Sequence, residues 1–190
     1  MLNKEMISRF INPGQTERNF LNYLKESKAK ISQSKTIAKQ VLNNSKYAGA
    51  VNTVTFFTGE PVPVETNVTG SFERPESEHF LIYGIRFYST SKDFRIVNAN
   101  PFVRGYTDLT PQINNAIVNV ECNSIRVLKN VPMDKFSFVN TSSNNLGTML
   151  LDEPILWQGQ QELLITISTK DGSNFGDVSL RFDLVGIGLI

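Results

Sequence analysis

At 190 residues, 40% of them hydrophobic, the chain suits one domain with a sizeable core and leaves room for an extension. A single cysteine, Cys122, excludes an internal disulfide and a cysteine zinc cluster, and a single histidine, His79, removes most hydrolase triads and most histidine metal sites. No run reaches the ~18 apolar residues of a membrane helix and no N-terminal apolar core marks a cleaved signal, so the expectation is a protein made in a cytoplasm and not exported by that route.

The formal net charge of +1 hides an uneven distribution. Residues 1–46 carry nine Lys or Arg against three acids, a net +6, and the remainder carries ten basic groups against fifteen acidic ones, a net −5. A basic leading segment on a mildly acidic body implies that the two meet different surroundings, although a solvated helix is often lysine-rich for no further reason.

Taken in order, Leu2, Met6, Ile7, Phe10 and Ile11 make one apolar stripe on a short helix that Asn12, Pro13 and Gly14 break. Thr16 is placed to cap a second helix, with Glu17 in its first turn. Phe20, Leu24, Ile31, Ala38, Val41 and Leu42 recur at helical spacing, with Lys25, Lys28, Lys30, Lys35 and Lys39 around them, and Asn43, Asn44 and Ser45 read as the stop. Residues 1–47 are therefore expected to be a basic α-helical arm, packed through Phe20, Leu24, Ile31, Val41 and Leu42. Such an arm packs on its own body, on a neighbouring subunit, or on an anionic surface of nucleic acid or lipid.

From Ala48 the texture turns to short runs of period two, which predicts a second unit over residues 48–190. A strand is expected over residues 51–57 and another over 64–72, followed by an acidic loop. His79 to Thr90, HFLIYGIRFYST, is the densest apolar run and reads as the central strand, with Leu81, Tyr83, Ile85 and Phe87 on one face. A short strand over 94–97, a long connection over 101–114 and a hairpin over 116–128 turning at Asn123 and Ser124 come next. Residues 130–136 read as a helical turn tucking Met133 and Phe136 under the sheet. Asp152, Glu153 and Pro154 bend the following extended piece; residues 162–169 alternate cleanly, and 177–190 close the chain on a strong strand that something must cover. Eight to nine strands without interleaved long helices predict an all-β fold: an antiparallel β-sandwich of single jelly-roll type behind the α-helical arm.

No constellation carries chemistry. The loop from Asp171 to Asp177 has Ser173 and Phe175 where a calcium loop needs acids, so it reads as a strand connection. Asp152 and Glu153, adjacent on an extended chain, point to opposite faces and make a poor acid–base pair. Cys122 reads as a small buried hydrophobe, and the Asn-x-Ser/Thr matches at Asn43, Asn67 and Asn140 as chance. Trp157, beside Gln158, Gln160 and Gln161, reads as an interface anchor or core edge, or as a sugar-stacking platform. No glycine-rich phosphate loop is present.

The lysine-dotted segment at 1–46, followed by the strand series from Val51 to the terminal run 178–190, resembles capsid proteins of small icosahedral viruses, tailless bacteriophages included. The hairpin with NVPMDKF, and the segment EPILWQGQQELLITI, have a likeness to bacteriophage virion proteins. The resemblance implies a non-catalytic structural protein of the virion, made in the host cytoplasm: a capsid or minor subunit. It would self-assemble through sandwich contacts and an exchanged arm and need no cofactor, metal or small-molecule substrate. Its partners would be further copies and other virion proteins, with Lys25, Lys28, Lys30, Lys35 and Lys39 facing genome, lipid or acidic protein. The main alternative is a carbohydrate-binding or adhesion module using Trp157, Tyr88 or Tyr106. An enzyme on a cupin-like scaffold would need several histidines.

Overall fold

The computed structural model describes residues 20, 22, 37–91, 93–96, 110–136 and 148–189. Among them are eight strands: β1 (Ile37–Gly49), β2 (Thr53–Phe56), β3 (His79–Thr90), β4 (Ala116–Cys122), β5 (Ile125–Pro132), β6 (Thr148–Trp157), β7 (Leu163–Thr169) and β8 (Gly176–Leu189). They form two four-stranded antiparallel sheets, ordered β1-β8-β3-β6 and β2-β7-β4-β5. The two most apolar strands, β8 and β3, lie side by side in the interior of the first sheet, so each is paired on both edges. That arrangement covers the terminal apolar strand from within the same chain.

The sheets enclose one core. Alternate residues of β8 (Val178, Leu180, Phe182 and Leu184) face it, as do Val118 and Val120 of β4 and Leu163, Ile165 and Ile167 of β7. Phe182 sits at its centre, edge-on to Phe56 at 5.0 Å and to Phe136 at 5.9 Å, and tilted against Phe87 at 5.1 Å. Phe56 comes from the opposite sheet, so these rings tie the layers together. A one-turn helix α1 (Pro111–Asn114), capped by Thr110 accepting from the Ile113 N–H, delivers Ile113 to the same core. The expected helical turn is a 3₁₀ turn over Met133–Lys135, and Met133 and Phe136 are buried as read. At the β4–β5 turn, Asn123 and Ser124 both take positive φ, +51° and +62°, which matches the strand twist of a two-residue hairpin.

Several expectations are corrected. The helical arm falls largely outside the described residues; within it Phe20 and Asn22 are helical, and Phe20 is fully buried. Ile37–Gly49, however, is strand, and it crosses the boundary placed at 47/48. Helical spacing of Ala38, Val41 and Leu42 misleads here because β8 needs a partner on its second edge. A ladder running from Ile37↔Leu189 to Gly49↔Gly176 outweighs helix preferences of a few tenths of a kcal/mol per residue. Leu42 faces the core while Val41 stays partly exposed.

Residues 64–72 form no strand; only Thr66 bridges to Asn44. Residues 94–96 are a turn, braced by Arg95 against both carboxylate oxygens of Asp93 at 2.8 and 2.6 Å. The face assignment of β3 holds for only half its length. Phe80 and Ile82 face the core, and so do Ile85 and Phe87, because Tyr83 is an extra residue between Ile82↔Gly186 and Gly84↔Val185. One bulged residue exchanges the faces of everything beyond it.

Candidate functional site

The two long sides of the sandwich are finished differently. On one side β1 lies beside β2, and the outer edge of β1 is sealed by residues 65–67. Ser45 N–H donates to the Glu65 carbonyl at 2.6 Å, Asn43 N–H donates to Asn67 Oδ1 at 2.7 Å, and Asn67 Nδ2 donates to the Val41 carbonyl at 2.7 Å. Thr66 Oγ1 donates to the Asn43 carbonyl, and Lys46 Nζ meets Glu65 Oε2 at 2.6 Å. Over residues 41–45 the backbone groups an edge strand would offer to another chain are thereby used.

The opposite side is an open seam between the edge strands β5 and β6, which enclose a groove of about 690 Å³. Its floor is apolar: Leu128, Val131 and Met149 pack against the core from the groove, with Cys122, Leu151 and Ile155 beneath. Its lips project Ile125 (65% exposed) and Val127 (40%) from β5, and Leu150 (44%) from β6. Both lips are bulged. On β6, residues 151–154 stand opposite the single residue Tyr83, and on β5 the register slips twice against β4, with Asn130 at φ +52° and its N–H held by Asn119 Oδ1 at 2.9 Å. Bulges spoil a continuous ladder, so the seam presents side chains rather than a template for an added strand.

The charges of the lips differ in sign. Asp152 and Glu153 stand exposed on β6, and Arg126 and Lys129 stand exposed on β5. Arg126 is paired with its cross-strand partner Glu121 of β4 at 2.8 Å, which leaves Lys129, of those two, as the uncompensated cation of that lip. Cys122 lies at one end, its Sγ 3.8 Å from the Leu156 carbonyl and from Gln161 Oε1, and burial pushes its thiol up to about 11. Such a thiol is not a nucleophile near neutrality.

The sequence-derived sites fall elsewhere or apart. Lys25, Lys28, Lys30, Lys35, Leu24, Ile31 and Tyr106 lie outside the described residues, and Lys39 sits on β1. Trp157 is fully buried, so as an exposed interface anchor or stacking platform it is corrected: its ring meets Phe57 edge-on at 6.2 Å and its Nε1 donates to the Gln161 carbonyl at 2.8 Å. Arg74, itself buried, lies 5.6 Å from that ring and 6.0 Å from Phe80. His79 is buried with Nδ1 accepting from Gly159 N–H at 3.2 Å. Asp171 accepts from Ser173 N–H and Oγ at 3.0 and 2.7 Å, which makes its loop a self-satisfied connection and holds its carboxyl below the usual range. Among the described residues no three His, Cys, Asp or Glu side chains gather as a metal site.

A smaller cavity of about 410 Å³ lies at the end of the sandwich among Thr58, Ser71, Glu73, Ser124, Gln160 and Glu162; the aromatic residues that line it, Phe57 and Phe72, are buried in the core. The open seam is the feature that sequence reasoning missed. Its only local signal is the bend at Asp152–Pro154, since nothing in IRVLKNVP says that β5 ends a sheet. No protein-family model matches the chain, and no curated protein matches it.

Proposed function

We propose that this chain is a structural protein of a virion, of bacteriophage type, acting as a capsid or minor subunit that self-assembles. The observation that carries the reading is the strand order. With β1, β8, β3 and β6 in one sheet and β2, β7, β4 and β5 in the other, the chain alternates between layers except at the β4–β5 hairpin. We read this as a single jelly roll, an arrangement that viral shells share with lectins and cupins. The fold alone does not choose among those uses. The virion use is favoured by the basic segment at 1–46 and by a sandwich whose one side is sealed while the other displays apolar side chains. In this reading the protein is non-catalytic, is made in the host cytoplasm, and meets further copies and other virion proteins through its body. Its leading segment, with Lys25, Lys28, Lys30 and Lys35, meets genome, lipid or a neighbour. Many weak copies of one contact then sum to a stable shell.

The test is light scattering and electron microscopy of the full chain beside a chain beginning at Ile37, which spares β1. Rings, shells or concentration-dependent growth in mass from the full chain are expected. A full chain that stays monomeric over a wide concentration range, or that binds a glycan array saturably, overturns the proposal; the second result would establish the carbohydrate-binding alternative.

A further inference from the structure

We propose that the β5–β6 seam is a two-fold interface with a second copy of this chain, a contact that rests on the self-assembly reading above and gives it a surface. The lips carry opposite charge in the same molecule: Lys129 stands exposed on β5, beside an Arg126 that Glu121 of β4 already pairs, and Asp152 and Glu153 stand exposed on β6. A two-fold axis running along the strands brings the β5 lip of each copy to the β6 lip of the other, and residue i then meets j while j meets i. Lys129 of each copy then opposes Asp152 and Glu153 of the other, at both ends of the contact. Ile125 and Val127, which project from one copy, enter the other's apolar groove over Leu128, Val131 and Met149. Burying these exposed side chains supplies the attraction, and the charges set register and disfavour the other two-fold, with its axis across the strands, in which like would face like. The bulges on both lips fit this mode, since the contact needs side chains and no shared backbone ladder.

The test uses charge reversal in the full chain, with mass followed by light scattering or sedimentation. Lys129→Glu alone places acid against acid at both contacts of a pair, and Asp152→Lys with Glu153→Lys places base against base. Each variant by itself is expected to associate more weakly by roughly tenfold or more. Mixed together they are expected to regain the original association, because in the mixed pair both contacts are again opposite in sign. That rescue also shows that neither variant merely failed to fold. Association that neither reversal disturbs overturns this interface and leaves self-assembly standing. Weakening in both variants without recovery on mixing overturns the two-fold pairing. An unmodified chain that never associates overturns this inference and the assembly reading together.

Discussion

Asn44 shows how a residue that reads as a helix stop becomes part of a core. It sits mid-strand on β1, fully buried, and its Oδ1 accepts from the Phe57 N–H at 2.9 Å. Phe57 has φ +60°, an uncommon conformation for an aromatic residue, and its ring fills the space between Phe72 and Trp157. The amide therefore satisfies a backbone donor at a turn that no ladder reaches. Its Nδ2 also donates to the Glu65 carbonyl at 3.4 Å, so both ends of the side chain are used. Asn44→Ala leaves that buried donor unpaired and is expected to lower stability by about 1–3 kcal/mol, read as a fall in denaturant midpoint at unchanged slope. A substitution with no effect would mean that water or another acceptor serves Phe57.

At the scale of elements, the pairing of β3 with β8 decides the sheet. Gly186 lies where Phe80 needs room: a Cβ there would meet the Leu81 carbonyl oxygen and come within 2.7 Å of Phe80 Cζ. The first contact is with backbone, which cannot swing aside, and the second is with a ring pinned in the core. Gly186→Ala is therefore expected to cost about 1–3 kcal/mol through overpacking, detected as a lower thermal midpoint. Tyr83 acts at the same scale in another way. As the bulged residue of β3 it turns Ile85 and Phe87 inward and leaves residues 151–154 of β6 without partners in the ladder. The acidic lip of the open seam is thus a consequence of a bulge where β6 pairs with its neighbour β3.

For the whole molecule, the question is where the folded unit begins. β1 supplies Leu42 and Ala48 to the core, occupies one full edge of β8, and is itself sealed by residues 65–67. A chain starting at Val51 loses all three contributions. It leaves an apolar strand edge open and is expected to show no cooperative unfolding transition by circular dichroism, whereas a chain starting at Ile37 is expected to retain one. Equal cooperativity in both would mean that β1 is an ornament on a seven-stranded body. The two long sides are finished differently: along one, residues 65–67 cover β1 over residues 41–45, and along the other Ile125, Val127 and Leu150 stand exposed.

The sequence by itself determined the class of fold, the central strand β3, the existence of the apolar strand β8, the β4–β5 turn and the burial of Met133 and Phe136, because each rests on a local period or on turn chemistry repeated over several residues. It also excluded an internal disulfide and histidine-rich metal sites by simple count. Tertiary structure decided the rest. Ile37–Gly49 became strand because β8 required a second partner, Trp157 went inside because Phe57 and Arg74 surround it, and the faces of β3 exchanged at one unpaired residue. The seam belongs wholly to this second kind: which strands end a sheet, and which of their side chains line the groove between them, is fixed by pairing between residues far apart in the chain, and no local pattern encodes it.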